Sequence, residues 1–185
     1  MVLKIAQLGQ PALRQVAAPV SPEEIHTPEL QGLIDAMLQT LEEAHGAGLA
    51  GPQVFAAKRI FLAGVLPPRS EGGSPEVEVF INPRLVAASE EVTLAWEGCL
   101  SFVELLVLVP RPRRVRVEYT SRHGEPRVLD LEDFPARVVQ HEYDHLEGIL
   151  TLDRAPSTRH IIKASEIDAV LELNHRDTEA QRRKE

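Results

Sequence analysis

The chain has a single cysteine among its 185 residues, so no intrachain disulfide framework can hold it together. Aromatic residues are scarce at 4%, which leaves the core to aliphatic side chains. Basic residues are outnumbered, 20 Lys and Arg against 28 Asp and Glu, for a formal charge of -8. Proteins that grip nucleic-acid backbones usually show the opposite excess. The one basic run, Arg111-Pro112-Arg113-Arg114, reads better as a strand end. No apolar run is long enough to span a bilayer, since the longest, Phe102 to Val109, is short and contains Glu104. The N-terminus, MVLKIAQLGQP, lacks the apolar core and small-residue cleavage site of a signal peptide. These absences point to a soluble protein of a reducing, cytoplasmic compartment, with neither DNA nor membrane as partner.

What is present suffices for one hydrophobic core and one domain, 1–185. Ser21-Pro22-Glu23-Glu24 is a helix-start signature, with a serine cap, proline at the first helical position and Glu24 placed for a capping box. Leu30, Leu33, Ile34, Met37, Leu38 and Leu41 recur every three or four residues and predict a helix from about Pro28 to His45, closed by Gly46. Strand character follows at Arg59–Val65, at Val77–Ile81 up to a stop at Asn82-Pro83, and at Leu105–Val109. Val115–Tyr119 alternates apolar with charged residues and predicts a hairpin with Arg127–Leu131 around His123-Gly124. Asp133 is placed to cap a helix that runs to Gly148. A last helix is expected from about 157 to 174, before a polar tail, 175–185. Helices set beside small sheets without regular βαβ alternation indicate an α+β fold.

His141-Glu142-Tyr143-Asp144-His145 is an HExxH motif inside that helical segment. Four residues of helix rise about 6 Å and return to one face, so both imidazoles can meet one ion. Glu142, about 100 degrees round the helix, can work beside the ion as a base without being forced to bind it. The ordinary alternative is two histidines that happen to lie four apart on a partly exposed helix. Val138 on the same face argues that they look inward, where unliganded imidazoles would need other partners. A catalytic ion usually takes a third protein ligand. Two residues compete on geometry alone: Glu166, 25 residues after His141 on the next expected helix, and Cys99, the lone cysteine. A free cysteine is by default a small buried hydrophobe.

Gly46-Ala47-Gly48-Leu49-Ala50-Gly51-Pro52-Gln53 is glycine-rich but fits neither a phosphate loop, which ends Lys-Ser/Thr, nor a dinucleotide loop, which follows a strand. Its bare backbone lets a ligand approach main-chain groups, as in strand addition by an extended peptide. Gln53 could reach a reacting carbonyl. Read alone, the segment is equally a helix cap followed by a tight turn.

Three segments in order, GAGLAGPQ (46–53), EGCLS (97–101) and QHEYDHLEG (140–148), resemble the signature motifs of the peptide deformylases. The stretches IAQLGQPALRQVAAPV and VPRPRRVRVEY (109–119) also resemble that family, and the likeness covers about residues 3–155. The resemblance implies an α+β fold, with small mixed or antiparallel sheets around a central HExxH helix. It also implies a hydrolase that removes the formyl group from the initiator methionine of nascent polypeptides. The implied metal ligands are Cys99, His141 and His145, with Glu142 as acid and base; Glu166 then becomes an ordinary surface residue. Leu100 N–H and the Gln53 amide would meet the oxyanion. Ala47 and Gly48 would pair with the substrate backbone beside Gly98, and Val138, His141 and Ala95 would border the methionine pocket. Fe(II) is the implied native metal, in a ligand set that also accepts Zn(II), Ni(II) or Co(II). The expected partners are N-formyl-methionyl nascent peptides, met as a monomer or weak dimer. A transient ribosome contact would need a local patch, because the overall charge does not favour ribosomal RNA.

Gly51 stands where the family has alanine, Val103 replaces a usual proline, Trp96 is large for its place, and Leu106 replaces an arginine of some members. These departures bear on efficiency and peptide preference, and none removes a catalytic group. Other readings remain at this point: an HExxH metallopeptidase using Glu166, a catalytically weak deformylase-like protein, and a non-enzymatic remnant that keeps the fold as a binding module.

Overall fold

A computed structural model describes residues 1–68 and 75–172. The expected opening signature is present in α1 (Pro22–Ile25), where Glu24 Oε2 accepts from Ser21 N–H at 3.0 Å. In α2 (Pro28–Glu43), Thr27 Oγ1 accepts from Leu30 N–H at 3.3 Å and Pro28 occupies the first turn. The helix stops two residues before the expected His45, because His45 itself takes the left-handed conformation (φ 50°). Gly46 is glycine for another reason: a Cβ there would lie 2.9 Å from both Leu41 and Leu100 side chains.

Among the described residues, eight strands form two antiparallel sheets. Strands β1 (Gly48–Ala50), β2 (Ile60–Leu66), β3 (Glu76–Ala88), β6 (Arg114–Thr120) and β7 (Pro126–Glu132) pair in the order β1-β2-β3-β6-β7. The second sheet is β4 (Val92–Glu97), β5 (Leu105–Pro112) and β8 (Ile161–Lys163), in that order. The larger sheet is covered on both faces, which is why β2 reads as an unbroken apolar run. Ile60 and Leu62 face Leu30, Ile34, Met37 and Leu41 of α2. Phe61, Ala63, Phe80 and Val117 face Val138, Val139 and Leu146 of α3 (Asp133–Leu146). Helix α3 is thus held between the two sheets, and the α+β expectation stands.

Three boundaries differ from the sequence expectation. Strand β3 runs through Asn82-Pro83 instead of stopping there. The register slips between Ile81 and Arg84, so proline's missing N–H costs no ladder bond, and Asn82 (φ 50°) pairs its side-chain amide with Val20 N–H and C=O at 2.8 and 2.7 Å. Asp133 does not cap α3; Glu132 holds that position, while Asp133 (φ 55°) accepts from Arg113 Nε at 2.8 Å. The helix expected from 157 is replaced by a 3-10 turn at Thr158–His160, strand β8 and a second turn at Ala164–Glu166, with α-helix only from 167 to 172. Backbone pairing of Ile161 and Ile162 with Val107 and Leu106 outweighs the local helical pattern. Residues 173–174 and the tail lie outside the described residues. Among the described residues no helix is long and apolar enough to cross a membrane.

Candidate active site

Helix α3 carries His141, Glu142 and His145 into the interior, where they are 9%, 4% and 1% exposed. Past the end of α3, Gly148 (φ 70°) packs so closely that a Cβ would lie 2.7 Å from Arg14 O, which fixes the chain's exit from the helix. Cys99 comes from the link between β4 and β5, and its Sγ lies 3.3 Å from His145 Nε2. Donor atoms of Cys99, His141 and His145 all fall within 4.8 Å of one another. Glu166 is absent from that group; it lies exposed on its 3-10 turn, accepting from Ser165 Oγ at 2.9 Å. Of the two third-ligand candidates, only Cys99 reaches the histidines.

The donors fit a borderline divalent ion, as one thiol and two imidazoles are its preferred chemistry. Glu142 Oε2 is buried without a hydrogen-bond partner, as is His145 Nδ1. Buried polar atoms are rarely left so unless something else occupies the site. Room for Glu142 is made by Gly48 of β1, where a Cβ would lie 2.4 Å from Glu142 Oε1. Burial raises the Glu142 pKa to about 7, against the pull of His141 and Arg111. Burial also opposes a charge on His141, but the Cys99 and Glu97 contacts and the Glu142 charge overcome it and raise that pKa to about 10. His145 is driven the other way, well below its ordinary value, by burial and then by His141.

Gln53 sits on a 3-10 turn, Gly51–Val54, directly after β1. Its Oε1 accepts from Ala50 N–H at 2.8 Å, which turns Nε2 toward Ser101 Oγ (3.2 Å) and Cys99 Sγ (3.5 Å). The N-terminal stretch ties these segments together: Ala6 N–H donates to Gln53 O at 2.7 Å, Leu8 N–H to Ser101 O at 2.8 Å, and Gln7 Nε2 to Leu100 O at 3.1 Å.

A cavity of about 570 Å³ opens onto this cluster. Every sequence-derived site residue except His145 lines it: Ala47, Gly48, Gln53, Ala95, Gly98, Cys99, Leu100, Val138, His141 and Glu142. Its lining comes from α3, from edge strand β4 and from Gly48 at the start of edge strand β1.

Several further neighbours lie outside the site residues expected from the sequence, two of which, Trp96 and Val103, stand out there only as departures from the family pattern. Thr93, Trp96, Val103, Asp133, Phe134 and Arg137 also line the cavity. Behind it lies a buried ionic chain. Glu97 accepts from Arg111 Nε (2.7 Å), Arg111 Nη2 (3.0 Å) and Arg137 Nη1 (2.7 Å), and its Oε2 lies 3.0 Å from His141 Nδ1. Arg111 Nη1 continues to Asp144 Oδ2 at 2.9 Å, which Arg154 also holds. Burial alone would raise the Glu97 pKa, but His141 and Arg111 hold it down near about 2. With Nδ1–H held by the carboxylate, Nε2 is the nitrogen that can give up its proton and offer a lone pair to an ion. A signal for this chain was present in the sequence, since Arg111 falls on the inward parity of Val107 and Val109. Locally the run reads as a strand end, and the partners of Arg111 lie 14 and 33 residues away.

Three clustered donors with a free carboxylate beside them, at the floor of a cleft between two strand edges, define a candidate hydrolase centre. Residues 2–160 match the family described as polypeptide deformylase. Peptide deformylase 2 of Nostoc sp. is 42% identical over 175 residues, covering 94% of this chain and 97% of the relative. A peptide deformylase of Pseudothermotoga lettingae is 37% identical over 98% of this chain and 99% of its own length. Among solved structures, the Met-Ala-Ser-bound class I type b peptide deformylase of Acinetobacter baumannii superposes with a TM-score of 0.77 at 38% identity, covering 83% of this chain and 98% of that one. The Thermotoga maritima peptide deformylase gives 0.76 at 36% identity, covering 85% and 99%. The chain belongs to the polypeptide deformylase family, and is an enzyme of that class.

Proposed function

We propose that this chain hydrolyses the formyl group from N-formyl-methionyl polypeptides, releasing formate and a free N-terminus, with a divalent metal held by Cys99, His141 and His145. The observation that carries the reading is the meeting of those three donors beside a Glu142 carboxylate whose buried Oε2 has no hydrogen-bond partner, in a cavity lined in part by two edge strands. Fe(II) is the proposed native ion, with Zn(II), Ni(II) or Co(II) able to take its place. When bound, the ion supplies Lewis acidity to the formyl carbonyl and acidifies a water.

The chain's own residues do the rest. An extended substrate lies between the edges of β1 and β4, its backbone meeting Ala47 and Gly48 on one side and Gly98 on the other. Its methionine side chain enters the apolar part of the cavity, walled by Val138, Ala95 and the His141 ring. Glu142, with a pKa near 7, takes a proton from the attacking water and later gives it to the leaving amine. Gln53 Nε2 and Leu100 N–H donate to the carbonyl oxygen as it becomes negative, and losing one such donor costs about 10²–10³ in turnover. Discrimination against larger acyl groups is steric, because acetyl puts a methyl where formyl has hydrogen. A nascent-chain substrate goes with a cytoplasmic site of action.

The test is formate release from formyl-Met-Ala-Ser by anaerobically purified protein loaded in turn with each of the four metals. Release is expected, falling by about 10²–10⁴ in Glu142→Ala at unchanged metal content. No formate at any metal loading would refute the reading.

A further inference from the structure

The three-stranded sheet has two unlike faces. Thr93, Ala95 and Glu97 of β4 turn inward with Val107, Val109 and Arg111 of β5. The opposite parity carries Val92, Leu94 and Trp96 on β4 and Leu106, Leu108 and Pro110 on β5, with Trp96 opposite Leu108 and Leu94 opposite Pro110. Val92 and Leu94 are 55% and 56% exposed. No charged side chain occupies an outward position of β4, β5 or, at Ile162, of β8. A solvated antiparallel face normally alternates to polar residues. This molecule does so elsewhere, where β6 sets Arg116 opposite Asp130 of β7 and the two form an ion pair. A contiguous apolar face beside such a wet one marks an interaction surface.

Two observations bear on what covers it. The remaining C-terminal sequence, 173–185, offers only Leu173 and Ala180 as apolar side chains, so its composition does not suit the face. The face also begins at the mouth of the catalytic cleft. Trp96 and Gly98 line the cavity, and a Cβ on Gly98 would lie 3.4 Å from Leu106 Cδ2. From Trp96 to Val92, four residues of strand cover about 13 Å, the length of about four residues of extended peptide.

We infer that this face is a docking strip for the substrate chain itself, taking an apolar extended stretch a few residues beyond those held in the cleft. The inference rests on the deformylase reading above. An enzyme acting on the N-terminus of a polypeptide must leave the rest of that chain leading out of the cleft. Once the first residues are bound, the following ones meet the strip at high effective concentration. With no charge on the strip, selection is for apolar side chains of either neighbouring sign.

The experiment uses the metal-loaded full chain and three substrates: formyl-Met-Ala-Ser, the same peptide extended by six Leu and Val residues, and the same extended by six Ser and Gly residues. The comparison is with Val92→Glu/Leu94→Glu, two well-exposed positions outside the cavity lining. The Leu/Val extension is expected to lower KM about tenfold relative to the Ser/Gly extension, the equivalent of about 1.4 kcal/mol. In the double variant that ratio should collapse toward one, with kcat and the tripeptide kcat/KM within twofold of the parent. If the double variant loses tripeptide activity, Leu94→Ser is read by the same criterion. A ratio near one in the parent, or a ratio the substitutions leave unchanged, overturns the inference while tripeptide turnover keeps the deformylase reading. Sedimentation of a parental dimer that the substitutions dissociate would assign the face to a second copy and also overturn it. No tripeptide turnover by the parent would instead be the failure of the deformylase reading.

Discussion

Gly48 and Glu142 occupy space that has no room for a methyl group: a Cβ on Gly48 would lie 2.4 Å from Glu142 Oε1 and 2.7 Å from its Cδ. A backbone position on the edge strand and the side chain of the HExxH glutamate are therefore fitted to each other. The glycine is required by this close approach, since its φ lies outside the left-handed region.

Gly48→Ala should displace the Glu142 carboxylate without touching Cys99, His141 or His145. A misplacement of about 1 Å costs about 10²-fold in rate. The expected result is a fall in kcat of that order at unchanged metal content, measured by formate release alongside elemental analysis.

Glu97→Gln removes the charge that Arg111, Arg137 and His141 share. All four groups are buried, so an uncompensated charge remains, at a cost of about 3–5 kcal/mol. Weakening the carboxylate–imidazole contact should also lower metal affinity about 10–100-fold. Thermal unfolding and competition with a chelator check the two effects separately.

Tyr119 packs against Phe80 with ring centroids 4.3 Å apart, and burial, with the nearby Glu78 charge, raises its pKa to about 12. The unfolded phenol titrates near about 10. The folded state thus holds the proton longer, so the stabilisation is fully present below about pH 10 and is lost as pH rises toward 12. Tyr119→Phe removes that component, and its Tm should fall less steeply than the parent's between pH 9.5 and about 11.5, as followed by circular dichroism.

Much of this arrangement can be read from local patterns. The 3.6-residue period of α2 and the HExxH spacing of α3 are properties of contiguous residues, and both helices follow them. Pairings across the sheets are not written locally. Cys99 and His145 are 46 residues apart, and spacing alone left Cys99 level with Glu166 until the fold brought one close and left the other on the surface. The helix expected at 157–174 begins only at 167, because three residues, Ile161–Lys163, gain more from pairing with β5 than from a helical turn. The stop expected at Asn82-Pro83 failed because a bulge absorbs the proline. The inward parity of Arg111 marks it as buried but does not name its partners, since a buried ion chain depends on groups contributed by three separate elements.

We propose that one sulfur and two imidazole nitrogens, from Cys99, His141 and His145, bind the catalytic ion. X-ray absorption at the metal edge of the zinc-loaded protein tests it most directly. The expected spectrum contains one sulfur at about 2.3 Å and two nitrogens at about 2.0–2.1 Å. The sulfur should disappear in Cys99→Ala while Glu166→Ala leaves the spectrum unchanged. A parental spectrum with nitrogen and oxygen but no sulfur, or one altered by Glu166→Ala, would contradict it.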